Sequence, residues 1–180
     1  LHPVAHSFPT RRSSDLNLPG ASDRDEWRQA RSFSHLYILH ELERVKKAVA
    51  ESLDHYHFNE AAQTLYQFVW HTYCDWYLEM IKPELYAGDE RSKQTAAACL
   101  ETTFAELLIL LHPLIPFVTQ EIWWQLPGRA GQDLTDVPFP CFRPESDNPA
   151  LEQKMQFFQD TVVAIRNIRS ELNINPAQKL

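Results

Sequence analysis

The sequence predicts an all-α fold, a bundle of five helices, and three observations carry that expectation. Apolar residues recur at steps of three and four through most of the chain, as the buried face of a helix requires. No segment of comparable length alternates apolar and polar residues as a half-buried strand would. All four glycines, Gly20, Gly88, Gly128 and Gly131, fall between the periodic segments and not inside them.

Taken in order, Ser22 followed by Asp25 and Glu26 is a capping signal that opens a first helix running toward Tyr56. Its apolar line is Leu36, Leu39, Leu42, Val45, Val49 and Leu53. Asn59 is the expected cap of a second helix, which should end or bend near Pro83 because proline lacks the amide proton and clashes with the preceding turn. Gly88 marks the turn that follows. A third helix fits Glu90 to Leu111, burying Ala97, Leu100, Phe104, Leu107 and Leu111. "HPLIP", residues 112 to 116, breaks the chain, and Pro116 suits the first turn of a fourth helix that stops before Pro127 and Gly128. Residues 127 to 149 hold five of the twelve prolines, so irregular chain is expected there. A last helix, from about Asn148 to Asn173, places Leu151, Met155, Phe158, Val162, Ile165, Ile168 and Leu172 at helical spacing.

The 180 residues, 44% of them hydrophobic and 23% charged, suit one domain with its own core. No run of eighteen apolar residues argues for a membrane span, and no basic stretch precedes an apolar core as a secretion signal would. Cys74, Cys99 and Cys141 form neither a CxxC pair nor an even set, which favours reduced thiols in a cytoplasmic protein. A net charge of -7 excludes nucleic-acid binding by bulk attraction, so any RNA contact has to be focal. The stretch "HSFPTRRSSDL" resembles the in-frame translation of a DNA-sequencing adapter. Residues 1–16 are therefore expected to be non-native or a disordered tail, with the bundle at 17–176.

The segment "FVWHTYCDWYLEMIKPELY", residues 68 to 86, carries more aromatic rings than one buried stripe needs. A helical wheel puts Phe58, Ala62, Leu65, Val69, Trp76 and Met80 on a core stripe and Tyr66, Trp70, Tyr73 and Tyr77 on a second line. The second line either packs a second neighbour or presents rings on which unpaired bases stack. His71, Asp75, Glu79 and Lys82 share a polar edge. A carboxylate there can accept from the exocyclic amine of a base, and a lysine can hold a phosphate or a base acceptor; an ordinary solvated face has the same pattern. His71 and Asp75 are the one tidy metal-ligand-like pair, and no third ligand joins them by motif, so no metal is expected.

Three segments, "FNEAAQTLYQFVWHTYCDWYLEMIKPELY", "LLHPLIPFVTQEIWWQL" and "VVAIRNIRSELNINPAQK", resemble in this order successive parts of the anticodon-binding domain of the valyl-tRNA synthetases. These are class I aminoacyl-tRNA synthetases, grouped with the isoleucyl, leucyl and methionyl enzymes. The resemblance covers roughly residues 30 to 180. It implies a helical bundle that packs on the tRNA anticodon loop, with tRNA(Val) as partner. It places Asp75, Tyr77, Leu78 and Glu79 in the anticodon pocket, Leu78 through its backbone, with Lys82 one turn further on. It also implies that Arg166 and Arg169 meet the tRNA backbone. ATP and Mg would belong to a catalytic domain of the same chain, since HIGH-type and KMSKS-type motifs are absent here; this segment should be inactive alone, with no catalytic residue and no cofactor of its own. An upstream W-N-A-x-R-F-type segment is likewise missing, so part of the site should lie outside. Residues 177–180 should begin a truncated C-terminal region. The same domain of an isoleucyl enzyme stays open as an alternative. So do a protein-binding scaffold docking through exposed Trp123 and Trp124, and a bundle enclosing an apolar ligand.

Overall fold

The computed structural model describes residues 32–174, the side chain of Glu145 excepted. The adapter-like stretch, the Ser22 capping signal and residues 177–180 lie outside the described residues. Every helix expected after residue 32 is present, and among the described residues there is no strand.

Helix α1 (Phe33–Asp54) buries Leu39, Leu42, Val45 and Val49 of its expected line, with Ile38 beside them, while Leu36 and Leu53 are half-buried. It ends with Tyr56 in the left-handed region at φ 59°. The amide of His57 reaches back to the Ser52 carbonyl at 2.7 Å, closing the helix end with a tyrosine where glycine is usual. Helix α2 (Phe58–Gln67) starts one residue before the expected cap, Asn59. It continues without a break into a π-helix (Phe68–Tyr77) and then α3 (Leu78–Ala87). These three form one rod antiparallel to α1. Pro83 sits inside α3 and does not end it, which removes the first of the two expected outcomes; the helix runs on to Ala87, held by Ile81 in the core and by packing on α4. At Gly88 an added Cβ would lie 2.5 Å from the Glu84 carbonyl oxygen, so only glycine fits between the two helices.

Helix α4 (Glu90–Leu111) is opened by Asp89, whose carboxylate accepts from the Ser92 amide at 2.8 Å. Hydrogen bonding from the Ser92 side chain, and then from its amide, holds the Asp89 carboxyl below the usual aspartate range. Contrary to the count of apolar runs, α4 is long and apolar enough to cross a membrane, but over half of it is buried within the bundle. It also carries Glu101 and Glu106, and it reads as the central core helix. Helix α5 (Pro116–Gln125) begins at its proline as expected. Trp123 packs with Ala105, Leu108 and Leu134, and Arg129 lies 4.0 Å above its ring. Of the two tryptophans that the scaffold reading needs exposed, Trp123 is fully buried, while Trp124 is exposed and donates to the Gln132 carbonyl at 3.0 Å. Irregular chain with two short 3-10 turns (Leu134–Asp136 and Pro144–Ser146) then leads to α6 (Ala150–Glu171).

Only Leu151 and Met155 of α6 are buried, against Tyr37. The expected buried line of Val162, Ile165, Ile168 and Leu172 is not realised: the last three are 51%, 55% and 64% exposed. Beyond Met155 α6 keeps only shallower contacts with the rod, among them Phe158 against Trp76, and periodicity alone does not reveal how far a neighbour extends along it.

Two charged contacts fasten this layer. Lys46 is wholly buried on α1, with its ammonium 2.6 Å from Glu43 and also paired to Glu106 on α4. Glu43 accepts from the Arg143 amide at 2.7 Å, and the Arg143 side chain reaches Glu106 at 3.3 Å. Buried His40 meets Glu152 at 3.1 Å and accepts from the Asn148 amide at 3.0 Å. Lys46→Ala leaves two carboxylates facing each other out of water, and the stability lost in urea denaturation is expected to be about 3–5 kcal/mol. A loss under about 1 kcal/mol would show that water already reaches the pair.

A groove on the outer edge of the rod

Between α3, the start of α1 and the far half of α6 lies an open groove of about 910 Å³. Its floor is apolar: Phe33, Trp76, Met80, Phe158 and Val162. Trp76 and Phe158 meet edge to face, with ring centroids 6.0 Å apart. Its rim on the rod side is acidic, formed by Asp75, Glu79 and Glu84, and Arg166 of α6 stands across from them. Glu84 is tied down, accepting from Ser34 at 3.3 Å and pairing with buried His35 at 3.3 Å. Asp75 and Glu79 are less committed. Among the described residues each has one exposed ion pair, Asp75 with His71 at 3.4 Å and Glu79 with Lys82. A carboxylate offers about four lone-pair sites, so both keep acceptor capacity for a ligand.

The π-helical turns decide which residues face this groove. The buried residues of the rod are Ala61, Leu65, Phe68, Tyr73, Tyr77 and Ile81, and the step from Phe68 to Tyr73 is five residues. A π-helix bonds i to i+5, so this step keeps the apolar face toward α1 and α4. An α-helical wheel misassigns part of the core stripe, and at Tyr73 and Tyr77 the packing reading of its second line is the one realised. Phe58 and Ala62 of its core stripe are exposed, Val69, Trp76 and Met80 only half-buried, and Tyr73 and Tyr77 of its second row are core residues. Tyr66 and Trp70 remain on the surface.

Of the residues singled out by sequence, Asp75, Glu79 and Arg166 line the groove together. Lys82 stands beside it, attached to Glu79. Tyr77 and Leu78 do not line it. Tyr77 is wholly buried against Cys99 and Thr103, and Leu78 packs on the main core. Five consecutive residues on a helix spread around more than a full turn, so "DWYLE" cannot present every side chain to one surface. Arg169 lies in the last turn of α6 and is not among the groove residues. The floor residues Phe33, Phe158 and Val162 were missed as site residues because an apolar position at helical spacing reads as core.

Elsewhere among the described residues, His40, Glu41 and Glu152 bring three possible metal-ligand atoms within 4.8 Å of one another. The Arg44 guanidinium already bridges Glu41 at 3.4 Å and Glu152 at 3.2 Å. Arginine supplies the charge that a metal would bring.

A family model described as the anticodon-binding domain of tRNA ligase matches residues 35–180. The chain belongs to the anticodon-binding domain family of tRNA ligases. The domain is 44% identical over 183 residues to a valine--tRNA ligase of Nitratidesulfovibrio vulgaris, a match covering 99% of this chain and 20% of that protein. It is 41% identical to the valine--tRNA ligase of Geobacter sulfurreducens and 38% identical to that of Geobacillus stearothermophilus, each over 80% of this chain and 16% of the relative. The domain thus spans about a fifth of the length of these relatives or less.

Beneath the groove, the interior phenols are held neutral. Burial pushes Tyr37 from 10.0 to about 12, helped by the carboxylates of Glu41 and Glu152. Burial also raises Tyr73, against the opposing hydrogen bond it shares with Thr103 at 3.2 Å, and raises Tyr77 well above its ordinary value. A phenol whose folded pKa exceeds its unfolded one contributes stability in full below the unfolded value and loses it as pH rises through the folded one. The urea midpoint of the domain is therefore expected to fall between about pH 10 and pH 12. Tyrosinate absorbance from these three rings should appear together with loss of helical circular dichroism, and ionisation with the fold intact would show the interior to be wet.

Proposed function

We propose that this domain is the tRNA-recognition module of a valine--tRNA ligase, and that the groove beside Asp75 and Glu79 receives an unstacked anticodon base of tRNA(Val). The observation that carries the reading is the pairing of two under-used carboxylates with an aromatic floor and a facing arginine. An unpaired base has a flat face that favours stacking on rings such as Trp76 and Phe158. An exocyclic amine at its edge donates to a carboxylate. The phosphate that follows is repelled by the acidic rim and is met by Arg166. Lys82 neutralises the outer side of Glu79, and Arg169 extends the positive charge along α6. Leu78 acts through its backbone and Tyr77 as part of the wall behind the site.

The protein that contains this domain, on this reading, is a cytoplasmic enzyme that attaches valine to tRNA(Val) with ATP and Mg. That chemistry belongs to a catalytic domain of the same polypeptide. The similarity to valine--tRNA ligases across almost the whole chain supports this. The domain supplies choice of tRNA, a task that an amino-acid pocket does not perform.

Two measurements test the reading. In gel-shift titrations the domain should prefer tRNA(Val) over the same tRNA with its anticodon replaced. Asp75→Asn with Glu79→Gln should remove about 5- to 150-fold of that preference, the worth of 1–3 kcal/mol in base-edge contacts. Equal binding to both tRNAs by the unaltered domain would refute it. Arg166→Ala should weaken both tRNAs alike and lower the slope of log affinity against log salt by about 0.7 to 0.9, the signature of one lost phosphate contact.

A further inference from the structure

We propose that the outer face of α6 is a docking surface for another part of the same polypeptide, one that lies beyond these 180 residues. This rests on the reading of the domain as one module of a longer ligase chain. The face is an apolar stripe in which Phe157, Thr161, Ile165, Ile168 and Leu172 follow one another by steps of three and four. It runs about 22 Å along the helix. Phe157 is 75% exposed, and Ile165, Ile168 and Leu172 are each more than half exposed. The stripe is separate from the groove. Phe158, Val162 and Arg166 line the groove from the side of α6 turned toward the rod, and at about 100° per residue the stripe is centred roughly a quarter turn around from them.

The local sequence is that of a packed helix and not of a solvated one. Five of the eight residues from Thr161 to Ile168 are β-branched, which lose side-chain freedom in a helix and favour it poorly. The Thr161 hydroxyl donates to the Phe157 carbonyl at 2.7 Å, a bond that weakens a helix slightly. A free helix of about 12–15 residues is marginal in water even with good helix formers, and the rod supports only one side of this one. Charge decides what covers the other side. Asp160 and Glu171 flank the stripe and are exposed, offsetting Lys154 at its start, while Arg166 and Arg169 lie on a different side of the helix. An apolar stripe edged by acids repels phosphate, so its occupant is protein and not RNA. The domain spans about a fifth of its valine--tRNA ligase relatives or less, so such a chain has most of its length available to cover the stripe. The docked part would support from behind the same helix that forms the outer wall of the groove.

Hydrogen exchange over residues 157–172, followed in the 180-residue chain and in the complete polypeptide that contains it, tests the proposal. These amides should exchange at least about tenfold more slowly in the complete polypeptide. Phe157→Ser with Ile168→Ser should abolish that added protection while shifting the melting temperature of the 180-residue chain by less than about 4 °C. Asn167→Ser, on the same helix but off the stripe, should change neither. Equal exchange in the two unaltered forms overturns the proposal. So does protection of the short chain that grows with its own concentration, which puts a second copy on the stripe, or protection that needs tRNA(Val), which puts RNA there. Added protection in a polypeptide with no preference for tRNA(Val) leaves this inference standing and sinks the anticodon reading. The preference without the protection sinks this inference alone.

Discussion

One constraint organises this domain: a single rod has to stay packed on α1 and α4 for about thirty residues while keeping its opposite edge open. An α-helix advances 100° per residue, and a run of apolar contacts on a straight partner drifts away from such a periodicity. The π-helical stretch Phe68–Tyr77 absorbs that drift. It brings Tyr73 and Tyr77 under the core and leaves Asp75 and Glu79 on the rim. Without the five-residue step the acids would rotate toward a neighbour and the tyrosine hydroxyls toward water. Core and site are therefore set by the same few hydrogen bonds, and π turns recur at functional positions for this kind of reason.

The second layer is fixed by charge as much as by apolar area. Lys46 satisfies Glu43 and Glu106 inside the bundle, while His40 receives the start of α6. Buried ion pairs are weak contributors to net stability, since desolvation offsets much of their attraction. Their contribution here is positional. Glu43 and Glu106 each hold Arg143, so the irregular chain after α5 has one defined course across α1 and α4. That course delivers Pro149 to the one place where α6 can start with Leu151 over Tyr37.

Much of this was legible in the sequence, and the exceptions have physical reasons. The α1 line of Leu39, Leu42, Val45 and Val49 was read correctly because a straight helix against one partner obeys the 3.6 period. The rod was misread at Trp76 and Tyr77 because a π-helical register leaves no mark in composition. Pro83 does not end its helix because a helix held by tertiary contacts tolerates one missing hydrogen bond. In α6, Ile165 and Ile168 look like core residues, yet burial needs a neighbour and spacing does not supply one. The site was half legible: Asp75, Glu79 and Arg166 stood out as charges at helical spacing or within a resembling segment. Phe33 and Phe158, equally part of the groove, looked like any other apolar residues.

The shallow anchorage of α6 has a mechanical consequence. Met155 is the last residue of that helix seated in the core, and Arg166 lies eleven residues beyond it, about 16 Å along the axis. The helix is a cantilever: rocking it by about 5° at its root swings the guanidinium by roughly 1.4 Å at that length. The width of the cleft therefore depends on how Leu151 and Met155 seat against Tyr37 and on the contact of Phe158 with Trp76, and not on Arg166 itself.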